Sequence, residues 1–168
     1  GVASELLTLK VARFLKRSSK SYFIVPNEFA PLRSVHSASI ENLSFSYPKS
    51  QSYAIYGIDL TVSPGQWVTL CGKSGCGKTT LLRQLKGSIA PGGDRQGSIL
   101  FEGKALESLS QREQAAKIGF VMQNPENQIV TDKVWHELAF GLESLGLDRD
   151  TIRLRCAEMA SFFGIQSW

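Results

Sequence analysis

The sequence lacks the features that would place it in a membrane or in an oxidising compartment. No apolar run approaches the ~18 residues that span a bilayer, and no secretory signal with a small-residue cleavage site is visible. Its three cysteines, Cys71, Cys76 and Cys156, are odd in number and form no C-x-x-C pair, which argues against disulfides and a zinc site. With 168 residues, 42% of them hydrophobic and 20% charged, the chain suits one globular domain.

The net charge of +4 is unevenly distributed. Residues 1–35 carry six basic and two acidic side chains, whereas the remainder is balanced. Residues 4–17 have the pattern of a basic amphipathic helix, which either lies on an anionic membrane surface or is an ordinary packed or solvated helix. We expect residues 1–37 to be a basic leader and linker of uncertain origin. The balanced remainder argues against a nucleic-acid partner.

The feature that carries chemistry is a glycine-rich loop with the pattern G-x-x-x-x-G-K-S/T. The loop consists of Gly72, Lys73, Ser74, Gly75, Cys76, Gly77, Lys78 and Thr79. Its glycines let backbone N–H groups approach an anion closely. We expect Lys78 to reach the β- and γ-phosphates of a nucleotide and the Thr79 hydroxyl to ligate Mg²⁺. The alternative is a glycine-rich turn that matches the pattern by accident.

The flanks of this loop have the expected order of strand, loop and helix. Residues 67–71 form a short apolar run that predicts a buried strand, and residues 80–87 predict a helix ending at Gly87. Further strands are predicted over residues 40–47, 53–62, 98–101 and 117–122, and a loop over residues 89–97. Helices are predicted from a capping box at 110–113, and over residues 132–145 and 149–163, with Asp148 or Asp150 as the N-cap of the last.

Three separated segments carry a resemblance to a known family. Residues 43–48 (LSFSYP) resemble an adenine-binding A-loop, residues 72–82 a Walker A loop and its helix, and residues 119–128 (GFVMQNPENQ) a Q-loop. From residue 38 to residue 168 the chain therefore resembles the N-terminal part of an ABC transporter ATPase domain. It most resembles the ATPases of energy-coupling factor importers, and residues 139–143 (AFGLE) support that subgroup.

The resemblance implies an α/β fold with a P-loop nucleotide hydrolase core and an N-terminal antiparallel β subdomain. It implies ATP and Mg²⁺ as cofactors, with Tyr47 stacking on adenine and Thr80 joining the nucleotide-binding loop. It also implies that Gln123 lies near Mg²⁺ and the attacking water. Lys78 and Gln123 are then the catalytic residues, and Thr79 and Gln123 the metal-binding ones. Ordinary core or surface positions are the alternatives for Tyr47 and Gln123.

The family's later motifs are absent from the sequence, which has no LSGGQ segment and no Asp-Glu dipeptide. We therefore expect a domain truncated before the signature motif and the Walker B strand, active as an ATPase only in full-length form. The resemblance implies a second ATPase subunit and a transmembrane permease or coupling subunit as partners, at the cytoplasmic face of the membrane. The expected function is ATP-driven import of a vitamin or metal ion. The alternatives are an inactive nucleotide-binding module and an ABC ATPase that acts on DNA or ribosomes.

Overall fold

A computed structural model describes residues 36–167, so the helix predicted over residues 4–17 lies outside the described residues. The described chain divides into two compact units, residues 36–118 and residues 119–167. The first unit contains a four-stranded antiparallel sheet in the order β2-β1-β3-β4. Its strands are β1 (Ala38–Ser46), β2 (Ile55–Val62), β3 (Asp94–Phe101) and β4 (Lys104–Ala105). This sheet confirms the predicted antiparallel β subdomain.

The core of the first unit lies against the central strand β1. At one end of β1, Ala38 pairs with Val62 of β2 on one side and with Phe101 of β3 on the other, and all three side chains are buried. The buried apolar core consists of Ala38, Ile40, Leu43, Phe45, Ile55, Ile58, Leu60, Val62, Leu81, Leu85, Ile99, Phe101, Leu106, Leu109 and Ile118. Since strands and helices both contribute, burial of this apolar surface holds the sheet and the helices in one unit.

A β-bulge in β1 changes which side chains face the core. Ala38 and Ile40 are buried before the bulge, and Leu43 and Phe45 after it, so the buried positions change from even to odd numbers. Asn42 has φ 47° at this point, and its N–H donates to Asp59 Oδ1 at 2.7 Å. An extra residue in one strand moves all later side chains to the opposite face of the sheet. The bulge therefore determines which side chains at the end of β1 point into the core.

A glycine on the neighbouring strand makes room for this bulge. Gly97 of β3 has φ +88°, and a Cβ atom there would lie 2.4 Å from the Asn42 carbonyl oxygen and 2.5 Å from that of Glu41. Those distances are far below van der Waals contact. Position 97 therefore requires glycine both for its φ and for the close backbone approach.

Two short helices complete the first unit. Helix α1 (Lys78–Gln84) follows the glycine loop, and helix α2 (Gln111–Lys117) begins with the predicted capping box. In that box Ser110 Oγ accepts from the Glu113 N–H, and the Glu113 carboxylate accepts from the Ser110 N–H at 2.8 Å. The buried Gln114 side chain of α2 donates to the carbonyls of Leu106 and Leu109 and accepts from the N–H of Gly87. These contacts fix α2 to the segments that precede it.

Four details of the described residues differ from the sequence predictions. Residues 67–71 are not a strand apart from an isolated bridge at Cys71, and no strand forms over residues 117–122, where α2 ends at Lys117. A strand needs a neighbour for its N–H and C=O groups, and the described residues provide only the antiparallel sheet. Strand β3 begins at Asp94, inside the predicted loop, because β1 pairs with it as far as Ser46. Gly87 does not end α1; it begins a 3-10 turn, Gly87–Ile89.

The second unit contains the two predicted helices. They are α3 (Val134–Ser144) and α4 (Arg149–Phe163), and Asp148 is the N-cap of α4, accepting from the Thr151 N–H at 2.9 Å. The buried residues of their contact are Ala139, Ile152 and Cys156. The apolar spacing of the sequence predicts that Val134 and Phe163 belong to the buried stripes of these helices, and this prediction is wrong, since both are exposed at the helix ends. Within residues 36–167, no helix is both long enough and apolar enough to cross a bilayer.

Candidate functional site

The glycine loop between Cys71 and α1 has the backbone that its sequence predicts. Gly75 has φ 76° and Gly77 has φ 99°, which are values that favour glycine. A Cβ atom on Gly75 would meet nothing within 4 Å, so this glycine serves the backbone conformation and not close packing. The Cys76 N–H donates to the Lys73 carbonyl at 3.3 Å and closes the turn. The loop thus turns tightly and leads directly into α1.

The first turn of α1 is open to an anion. Gly77 is the N-cap and offers no side-chain acceptor, and the first turn contains no acidic residue. The first N–H groups of a helix have no partner within the helix, and the helix dipole places partial positive charge at this end. An anion held by the loop would therefore meet unused N–H donors and a favourable potential.

Lys78 folds back onto the loop that precedes it. Its Nζ donates to the Gly72 carbonyl at 2.7 Å and to the Lys73 carbonyl at 2.9 Å, and it lies 3.5 Å from Cys76 Sγ. The side chain is only half-buried, so it retains a route to a ligand. The structure therefore places the ammonium group over the loop, where a bound phosphate would replace carbonyls as its partners.

Tyr47 and Thr80 are brought together from distant parts of the chain. Tyr47 follows β1 immediately, and its hydroxyl lies 2.9 Å from Thr80 Oγ1 of α1. Its ring also meets the buried Phe45 ring edge-on, with centroids 5.1 Å apart. Tyr47 lies two residues after Phe45, so the two side chains share one face of the chain, and the bulge at Asn42 turns that face toward the core. Tyr47 remains 41% exposed, so part of its ring is free for contact with a base.

The two threonines at the start of α1 have different surroundings. Thr80 is buried and contacts Tyr47, whereas Thr79 is exposed beside the loop. In residues 36–167, no group of three or more His, Cys, Asp or Glu side chains is arranged to hold a metal. The exposed Thr79 hydroxyl is an oxygen of the kind that Mg²⁺ prefers, and its role as a ligand stays a prediction.

Gln123 belongs to the second unit, and its part in a shared metal site stays a prediction. The side chain is exposed, and it lies between Met122 and the 3-10 turn Pro125–Gln128. Sequence reasoning missed the role of Gln128 in this segment. The Gln128 side chain bonds to the backbone of Phe120 and Met122, and no pattern of residue types signals such a contact.

A lysine beyond the loop also has a structural role that the sequence did not show. Lys86 Nζ donates to the Ile118 carbonyl at 2.5 Å, and burial lowers the pKa of this lysine below its usual range. The hydrogen bond ties the segment after α1 to the residue after α2. Lys86 therefore holds the segment after α1, whereas Lys78 bonds to the glycine loop itself.

Comparison with known proteins agrees with this geometry. The family model described as ABC transporter matches residues 55–165. An ABC transporter ATP-binding protein of Bacillus thuringiensis is 46% identical over 129 residues, which cover 77% of this chain and 23% of that protein. A second, from Methanosarcina acetivorans, is 36% identical over 76% of this chain and 21% of that protein. The energy-coupling factor transporter ATP-binding protein of Oenococcus oeni is 34% identical over 74% of this chain and 44% of that protein. The chain thus spans less than half the length of each of these relatives.

Proposed function

The chain belongs to the ABC transporter family, and on that premise we propose that it is the nucleotide-binding portion of an importer ATPase. In full-length form this ATPase binds ATP with Mg²⁺ and couples its hydrolysis to uptake across a membrane. The observation that carries the proposal is the loop at residues 72–79, with the Lys78 ammonium held over it and the open first turn of α1 behind it. These groups are what a polyphosphate requires.

Different groups at the loop hold different parts of the nucleotide. Backbone N–H groups of the loop and of the first turn of α1 cradle the phosphates, and Lys78 exchanges the carbonyls of Gly72 and Lys73 for phosphate oxygens. The Thr79 hydroxyl would hold Mg²⁺, which would supply positive charge against the negative charge that develops in transfer. The exposed face of Tyr47 stacks on adenine.

Hydrolysis needs Gln123 and, in addition, groups that this sequence does not contain. Gln123 orients the attacking water through its amide, which can hold a nucleophile without changing protonation. The sequence has no Asp-Glu pair for a general base and no signature segment to close over the γ-phosphate. Because phosphoryl transfer depends on such positioned charges, we expect these residues alone to bind nucleotide weakly and to turn over little of it.

The proposed setting is the cytoplasmic face of a membrane, where the ATPase pairs with a second ATPase subunit and a transmembrane permease or coupling subunit. Relatives named as energy-coupling factor transporter ATP-binding proteins support a transporter of that kind, and the cargo that we propose is a vitamin or a metal ion. The segment after Gln123 is the surface we assign to the transmembrane partner.

The test is a comparison of two lysine variants of the full gene product. Lys78→Ala removes the ammonium group over the loop, and we expect at least roughly tenfold weaker Mg-ATP binding by calorimetry, since a charge-assisted contact with phosphate is lost. Lys104→Ala removes an exposed lysine of β4, remote in sequence from the loop, and should leave the affinity unchanged. Equal affinities for wild type and Lys78→Ala would contradict the proposal. A protein that binds Mg-ATP but hydrolyses none would instead favour the inactive nucleotide-binding module.

A further inference from the structure

The Gln128 side chain closes a ring around the segment that contains Gln123. Its Oε1 accepts from the Met122 N–H at 2.7 Å, and its Nε2 donates to the Phe120 carbonyl at 3.1 Å. The oxygen and the nitrogen of one side-chain amide thus both form hydrogen bonds to the backbone of residues 120–122. The side chain is half-buried, which shields these bonds partly from water.

The bonds matter because this backbone is not part of a strand. Residues 118–122 form no ladder in the described structure, so their N–H and C=O groups need other partners. The Gln128 amide presents one acceptor and one donor, as a neighbouring strand would. It therefore fixes the Val121–Met122 peptide, whose nitrogen belongs to the residue before Gln123.

The chain on the other side of Gln123 is fixed as well. Asn124 begins the 3-10 turn Pro125–Gln128, where the Asn127 N–H donates to the Asn124 carbonyl at 3.1 Å. Pro125 at the first position of the turn restricts the backbone further. Gln123 is thus the exposed residue between a peptide held by Gln128 and the start of a rigid turn.

A carboxylate of α3 holds the chain just beyond Gln128. Glu137 Oε2 accepts from the N–H of Val130 at 3.0 Å and from the N–H of Thr131 at 2.9 Å. The bond from the Thr131 N–H, and after it the bond from the Val130 N–H, lowers the pKa of the Glu137 carboxyl below its usual range. The group is therefore ionised at neutral pH. Because Glu137 belongs to α3, the chain directly after Gln128 is held to a helix.

We propose that Gln128 is a positioning residue for Gln123. By holding the Met122 peptide it sets the direction in which the Gln123 side chain leaves the backbone, and hence where its amide meets the attacking water. The inference rests on the proposed ATPase function. Since a small misplacement of a group that positions a reactant is costly in rate, loss of the ring should lower kcat much more than nucleotide affinity.

The first arm of the test measures the ring without any catalysis. In the full gene product, exchange of the Met122 amide hydrogen is followed by NMR for wild type and Gln128→Leu. We expect exchange at least about tenfold faster in the variant, because the amide loses its acceptor. Gln66→Leu is the matched control, since Gln66 Oε1 accepts from the Ser63 N–H at 2.7 Å in the first unit, and it should leave Met122 exchange and kcat unchanged.

The second arm is a double-mutant cycle on ATP hydrolysis. We expect Gln128→Leu to lower kcat roughly ten- to a hundredfold, with the Kd for Mg-ATP within about twofold of wild type. In a Gln123→Ala background the same substitution should have almost no further effect, because Gln128 acts through Gln123. Gln128→Glu keeps an acceptor for Met122 but loses the donor to Phe120, so its kcat should lie between those of wild type and Gln128→Leu. It replaces Gln128→Leu in the cycle if that protein does not fold.

The outcomes separate the inference from the function on which it rests. Equal Met122 exchange in wild type and Gln128→Leu, or additive effects on kcat in an active enzyme, overturns the positioning role and leaves the ATPase proposal standing. A wild-type protein that protects the Met122 amide and binds Mg-ATP but hydrolyses none overturns the ATPase proposal, and the catalytic role of Gln128 with it. Protection together with non-additive effects supports both.

Discussion

Tyr47 allows the two parts of one side chain to be tested separately. Its hydroxyl bonds to Thr80 Oγ1, and its partly exposed ring is assigned to the adenine base. Tyr47→Phe removes only the hydroxyl, whereas Tyr47→Ala removes both parts. The two substitutions should therefore affect stability and nucleotide affinity in different proportions.

The magnitudes follow from the contacts. A partly buried hydrogen bond between neutral groups contributes about 1 kcal/mol to the free energy of unfolding, so Tyr47→Phe should lower it by about that amount. Since the aromatic face is retained, the Kd for Mg-ATP should stay within about twofold. Stacking of a base on an aromatic ring is worth ~1–3 kcal/mol, and Tyr47→Ala should therefore weaken Mg-ATP binding by roughly 5- to 150-fold.

The assay combines urea unfolding with calorimetric titration of Mg-ATP, both on the full gene product. Tyr53→Ala is the control, because Tyr53 is 42% exposed, nearly as much as Tyr47, and no role in binding is assigned to it. Its affinity for Mg-ATP should equal that of wild type. The reasoning fails if Tyr47→Ala binds as tightly as Tyr53→Ala, or if Tyr47→Phe loses as much affinity as Tyr47→Ala.

Two further predictions concern the fold that supports the site. Gly97→Ala should lower the free energy of unfolding by at least about 2 kcal/mol, because its Cβ would collide with the Asn42 carbonyl. The control is Gly103→Ala, which has φ +74° but nothing within 4 Å of its Cβ and should cost only about 1 kcal/mol. Equal losses for the two variants in urea unfolding would contradict the clash. Asp148→Ala removes the N-cap of α4 and should lower the melting temperature at neutral pH. The bonds from Thr151 lower the pKa of Asp148 in the folded protein, so its contribution is present above the ordinary aspartate pKa and is lost as the pH falls through the folded value. Melting curves of wild type and Asp148→Ala should therefore converge in acid, and a constant difference would refute this account.

Local patterns in the sequence were sufficient for much of the fold. The capping box at Ser110 and Glu113 and the Asp148 cap of α4 use contacts between residues three positions apart, and both are confirmed. Alternating apolar residues predicted β1 and β2, and the motif at residues 72–79 predicted the loop before α1. Each of these sequence patterns involves residues that lie within a few positions of one another.

The sequence was insufficient where a structure depends on distant partners. Residues 67–71 and 117–122 are apolar enough for strands, but a strand exists only beside another strand, and composition does not reveal the neighbour. The bond from Tyr47 to Thr80 joins residues 33 positions apart. The contact from Gln128 to Met122 depends on a turn whose path the residue types did not determine. Such contacts follow from the chain path and are not encoded in a short pattern.

The self-contact of Lys78 has a consequence for selectivity. Its ammonium group donates to two carbonyl acceptors, from Gly72 and Lys73, so an anion that binds to it must compete with these bonds. A small monovalent anion replaces at most part of them and gains little. A polyphosphate offers several charged oxygens to the lysine, the loop and the helix end at once, and an ammonium–phosphate contact adds the attraction of opposite charges to the hydrogen bond. We therefore expect the loop to favour a polyphosphate over simple monovalent anions, even without a contact to a base.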